Sequence, residues 1–113
     1  MRYVPHTPMA RRIDSQCRTF QTALDILSSR WNALILNVLQ GGPLRFNEIS
    51  ERANGPGDKM LSARLKELEA RGLLTREVDA GPPVRVSYEL TRSGREFGSL
   101  AQAIERWGRE LRS

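Results

Sequence analysis

Residues 57–74 read GDKMLSARLKELEARGLL, and the register of their leucines decides the fold. Leu61, Leu65 and Leu68 recur at i, i+4 and i+7, the spacing of one buried stripe on an α-helix. Asp58 is suited to cap this helix, because its carboxylate accepts an otherwise orphaned backbone N–H. Gly72 is suited to close it, because glycine takes the left-handed conformation without a Cβ clash. The outward face then carries Lys59, Ser62, Ala63 and Lys66, all small or basic, and the acids Glu67 and Glu69 come only in the last turns. A leading outward face free of carboxylates suits contact with a polyanion.

Working outward, the preceding stretch RFNEISERA (45–53) places Phe46, Ile49 and Ala53 on one face of a short helix, and NGPG (54–57) is a turn. A short helix, a glycine-containing turn and a second helix of about a dozen residues make a helix-turn-helix. After Gly72 the period changes. LLTREVD (73–79) and VRVSYELT (84–91) alternate, the second with Val84, Val86, Tyr88 and Leu90 on one face, and AGPP (80–83) joins them. This predicts a two-stranded hairpin directly after the second helix, which makes the motif winged. A recognition helix of that length is about 18 Å long and fits a major groove about 12 Å wide.

The flanks complete the pattern. Phe20, Ala23, Leu24 and Leu27 predict a helix over 17–28, and Trp31, Leu34, Ile35, Val38 and Leu39 predict another in RWNALILNVLQ (30–40), stopped by GGP. Thr91 caps a last helix whose apolar stripe is Phe97, Leu100, Ala101, Ile104, Trp107 and Leu111. The expected fold is mainly α with a small two-stranded β-hairpin: a winged helix-turn-helix over residues 15–113, after an N-terminal tail of residues 1–14 that is flexible or docks on a partner.

With 113 residues, one domain is expected. The formal charge of +5 suits nucleic acid or an anionic surface. The single cysteine forms no disulfide within the chain, the longest apolar run is too short for a bilayer span, and no signal peptide is evident, so a cytoplasmic location is expected. His6, the one histidine, lies in the tail, no Cys/His set has metal-ligand spacing, and no glycine-rich loop follows a strand. The chain reads as no enzyme, with no cofactor and no metal.

At this point the residues resemble the HxlR-type winged-helix transcriptional regulators. The stretches carrying the resemblance are RWNALILNVLQGGPLRFNEI, KMLSARLKELEARGLLTREV, PPVRVSYELTRSG and Trp107, so it runs from Cys17 to about Trp107. The resemblance implies a small homodimeric DNA-binding protein that regulates neighbouring genes. Several members sense electrophiles or oxidants through a cysteine at the start of the first helix, and Cys17 falls there. Where members carry Ser with Gln or His before KML, this chain has Gly57 and Asp58.

Roles follow residue by residue. Lys59 and Lys66 neutralise phosphates or bond guanine edges, Ser62 donates or accepts, and Ala63 allows close approach to the groove. Arg64 reaches the backbone from the flank. Arg45 adds charge at a helix N-terminus, and Arg85 near the wing tip enters the flanking minor groove. Arg76 is a weaker candidate. It and Arg85 read equally as cross-strand partners of Glu77 or Glu89. Phe20, Leu24, Phe97, Leu100, Ile104 and Trp107 build a dimer interface, the alternative being a wholly intramolecular core. Two recognition helices related by a twofold read half-sites of a pseudo-palindromic operator about one helical turn apart. Cys17 is read either as a small buried hydrophobe or as a thiol kept reactive by a nearby helix N-terminus and by Arg11, Arg12 and Arg18. The resulting expectation is a sequence-specific homodimeric repressor that senses an oxidant or electrophile through Cys17. The competing one is a winged helix that assembles with other proteins and binds no DNA.

Overall fold

The computed structural model describes residues 7–55 and 57–112, the first ten of them as backbone alone. In chain order the elements are α1 (Thr7–Leu27), α2 (Arg30–Val38), β1 (Leu44–Arg45), α3 (Phe46–Ala53), α4 (Asp58–Ala70), β2 (Leu74–Asp79), β3 (Arg85–Leu90) and α5 (Arg92–Glu110). The helix-turn-helix is α3–turn–α4, and β2–β3 is the wing.

The core forms where the apolar stripes meet. Ile35 and Leu36 from α2, Leu39 just after it, Ile49 from α3, Leu61, Leu65 and Leu68 from α4, and Leu74, Tyr88 and Leu90 from the wing pack in one buried cluster. Leu34, expected on the buried side of α2, is 37% exposed instead. The turn between α3 and α4 is held from both sides. Asn54 adopts a left-handed backbone with φ 49°, and the Trp31 ring packs so closely on Gly55 that no side chain fits there.

The wing has one strand more than expected. Leu44 and Arg45 pair with Tyr88 and Ser87, giving an antiparallel sheet in the order β1-β3-β2. Val84 falls outside β3 and is exposed. Two helix starts also differ. Gly57 is the N-cap of α4, and Asp58 is its first helical residue, where the carboxylate still faces the positive end of the helix dipole. Helix α1 begins at Thr7, well inside the stretch expected to be a tail. Pro8 is tolerated there because first-turn N–H groups have no helical partner. Residues 1–6, with His6, and the side chains of Arg11 and Arg12 lie outside the described residues.

Helix α4 ends in a Schellman turn. Gly72 at φ 78° donates its N–H to Glu69 O, and Leu73 donates to Leu68 O, both at 3.0 Å. This turn receives α5. Thr91 Oγ1 donates to Gly72 O at 2.6 Å and accepts from the Gly94 N–H at 3.2 Å, so one hydroxyl joins the end of α4 to the start of α5. Gly94 lies against the backbone carbonyl of Leu73, with no room for a Cβ. In an open helix Gly→Ala gains about 1 kcal/mol. Here Gly94→Ala is expected to cost about 1–3 kcal/mol through overpacking, read as a lower Tm at fixed protein concentration.

Candidate nucleic-acid interface

Helix α4 is 13 residues long, about 20 Å at 1.5 Å per residue. Its leucine stripe is buried in the core, which turns Lys59, Ala63 and Lys66 to solvent. Ser62 is half-buried on the side of the helix nearer the wing. Arg64 lies on the opposite flank, where its Nη1 bonds Glu67 Oε1 at 2.9 Å. This half-buried intrahelical pair is worth a few tenths of a kcal/mol, and it holds the guanidinium along the helix flank.

Arg45 is exposed at the N-cap of α3, and its backbone N–H donates to Glu48 Oε1 at 2.8 Å. Arg85 is exposed where β3 leaves the wing tip, opposite Asp79. The Gly81 N–H donates to Asp79 Oδ1 at 3.1 Å and so orders the approach to that tip. Of the residues assigned to DNA contact, Lys59, Ser62, Ala63, Arg64 and Lys66 share α4, Arg85 stands on the wing, and Arg45 ends β1 at the N-cap of α3.

A second surface is apolar. Leu100, Ile104 and Trp107 are exposed along α5, and Trp107 is 62% accessible. On α1, Phe20 is 64% accessible and Leu24 is also exposed. Phe97, expected in this set, belongs instead to the core at 9% exposure. The first turns of α5 are held on the body by Thr91 and Gly94, Gly98 packs on the Gln40 side chain, and Ala101 still packs against the core before the exposed stripe of Ile104 and Trp107. The radius of gyration is 17.8 Å, against about 13 Å for a compact chain of this length. The excess comes from long helices that extend past the core.

Asn32 is a residue that sequence reasoning missed. It is 1% exposed, and its Nδ2 donates to Ile26 O at 2.8 Å, which ties the end of α1 to α2. The available signal was an asparagine, Asn32, directly before the apolar run of α2, which a second one, Asn37, follows.

Cys17 is a free, exposed thiol. The helix-terminus argument for its reactivity does not hold, because α1 starts ten residues earlier and places Cys17 in mid-helix. Among the described residues, no helix is long and apolar enough to cross a membrane.

This combination of fold and surface defines a winged helix-turn-helix. The chain belongs to the HxlR-like helix-turn-helix family, whose sequence model matches residues 26–113, and it is a transcriptional regulator of helix-turn-helix type. It is 39% identical over 94 residues to the HTH-type transcriptional regulator YodB of Bacillus subtilis (strain 168), covering 83% of this chain and 84% of the relative. It is 42% identical over 94 residues to the uncharacterized HTH-type transcriptional regulator YvaP of the same organism, covering 83% of this chain and 87% of that one. Among solved structures, the reduced form of B. subtilis YodB superposes with a TM-score of 0.76 at 39% identity, over 82% of this chain and 91% of that one. The redox regulator HypR in its oxidized form gives a TM-score of 0.75 at 30% identity, over 84% of this chain and 98% of that one. YodB has also been solved quinone-bound. Cys17 precedes the segment matched by the family model.

Proposed function

We propose that the protein is a homodimeric, sequence-specific DNA-binding repressor. The carrying observation is that α4 turns Lys59, Ala63 and Lys66 outward beside the wing with its leucine stripe fully used by the core. A module that assembled with proteins through this face would display a broader apolar patch than the single exposed Met60. Dimerisation is supported by the exposed apolar stripe on α5 and by Phe20 and Leu24 on α1, since one recognition helix buries too little surface for tight specific binding. Footprinting on the upstream intergenic DNA tests the reading. The expected result is two protected half-sites about one helical turn apart. Protection of a single half-site, or none at any duplex, would overturn it.

A thiol response through Cys17 is the finer part of the proposal. It is supported by the exposure of that thiol and by relatives described as redox-regulated or quinone-bound. With one cysteine per chain, a disulfide between subunits has to join Cys17 to its own copy. Diamide removes two electrons and two protons from that pair and is itself reduced to the hydrazine. Such a bond, or a quinone adduct on the sulfur, shifts one α1 against the other and spoils half-site spacing. Cys17→Ser is expected to keep full operator affinity in the reduced state and to lose the response to diamide and quinones. Equal loss of binding by wild type and variant on oxidant treatment would remove the thiol from the mechanism.

A further inference from the structure

A cleft separates α4 from the wing. It is lined by Ser62, Leu65, Lys66 and Glu69 from the helix and by Arg76 and Tyr88 from the strands. The helix residues recur three and four apart, so they share the side of α4 facing the sheet. Arg76 and Tyr88 are direct cross-strand partners, so their side chains leave the same face of the sheet. Tyr88 is 9% exposed, yet its hydroxyl has no hydrogen-bond partner among the described residues. Neither Lys66 nor Arg76 forms an ion pair there, although Glu69 lines the same cleft. The Tyr88 ring is packed in the core while its hydroxyl stays open to the cleft, so two free cations and one phenolic O–H surround the hollow as donors for an oxyanion.

Resting on the DNA-binding reading above, we infer that this cleft seats one backbone phosphodiester of the bound duplex in each half-site. Lys66 and Arg76 supply the charge, and the Ser62 and Tyr88 hydroxyls donate to the non-bridging oxygens. Docking geometry leads to the same place. With α4 in the major groove and the wing tip over the adjacent minor groove, the sugar–phosphate strand dividing the two grooves crosses between them, over the cleft. The charge also matches. Lys66 and Arg76 against Glu69 leave one net positive charge, the complement of a monoanionic diester, whereas a free phosphate dianion would be only half neutralised. Glu69 narrows the seat and weakens it.

Duplex affinity and its salt dependence test the inference in the full-length protein. Arg76→Gln is expected to lower operator affinity about thirtyfold at about 0.15 M salt and to flatten the log–log salt slope by about 1.8, the value for one phosphate in each of two half-sites. Tyr88→Phe, which keeps the ring in the core, is expected to lose severalfold in affinity with the slope unchanged. Glu69→Gln is expected to bind more tightly than wild type, an effect that a merely structural Arg76–Tyr88 pair would not produce. Operators carrying a neutral methylphosphonate at single positions locate the seat. At one position per half-site, the substitution should weaken wild type clearly more than it weakens Arg76→Gln, because part of the contact is already gone in the variant.

If wild type binds the operator but Arg76→Gln and Glu69→Gln change neither affinity nor slope, or no methylphosphonate position is non-additive with Arg76→Gln, the seat is wrong while the DNA reading stands. Replacing chloride with inorganic phosphate at constant ionic strength should leave wild-type affinity unchanged. Competition by phosphate in wild type but not in Arg76→Gln would assign the cleft to the free anion and overturn the inference. Failure of wild type to bind any duplex would sink both readings together.

Discussion

Replacing Lys59 and Lys66 together with alanine is expected to weaken operator binding about a thousandfold at about 0.15 M salt. Both side chains are exposed on α4, with no ion pair among the described residues, so their charge is free to displace counterions from a duplex. Each phosphate neutralised adds about 0.9 to the slope of log affinity against log salt. Two lysines in each of two subunits therefore carry about 3.6 of that slope, which at this salt amounts to about three decades of affinity. The variant should fold as wild type does, because exposed substitutions of this kind stay within about 0.5 kcal/mol. Fluorescence anisotropy across a salt series separates the alternatives. A flattened slope with reduced affinity supports α4 as the groove element. An unchanged slope and affinity would mean that α4 does not face the duplex.

The helix-turn-helix was legible because its signals are local. The stripe Leu61, Leu65, Leu68 fixes the buried side of α4 by periodicity alone, and Gly72 ends the helix by backbone conformation. Strand β1 was not legible, because two residues carry no periodicity. Leu44 and Arg45 are a strand only because Tyr88 and Ser87 lie beside them. The position of Cys17 within its helix was misjudged for a similar reason: the apolar spacing read from the sequence starts at Phe20, whereas the helix begins at Thr7.

The division of the outward face of α4 was also hidden. Periodicity groups Ser62 with Lys59 and Ala63, and only the tertiary position of β2 and β3 makes Ser62 and Lys66 one wall of a cleft. Phe97 shows the same limit within α5. A continuous stripe cannot tell which of its members meet the chain's own core and which are left over. The answer depends on where the helix is held, and Thr91 and Gly94 hold it by its first turns.

That division of the stripe makes the dimer testable at a single residue. Ile104→Glu is expected to convert a dimer into a folded monomer and to lower operator affinity about 10³-fold, roughly the difference between gripping two half-sites and one. Ile104 lies one turn from both Leu100 and Trp107 and is 42% exposed within its own chain, so the substitution leaves the core untouched. In a twofold interface each residue is used twice, so two carboxylates would have to lose water in an apolar seam, which is costly without partners. Sedimentation at micromolar concentration should show half the wild-type mass with helical circular dichroism retained. Phe97→Ala is the contrasting case. At 9% exposure in the core cluster, it should cost about 3–5 kcal/mol of folding stability rather than dissociate folded subunits. A wild-type protein that sediments as a single chain, or an Ile104→Glu variant that still pairs, would show that the long apolar side of α5 is covered by something other than a second copy.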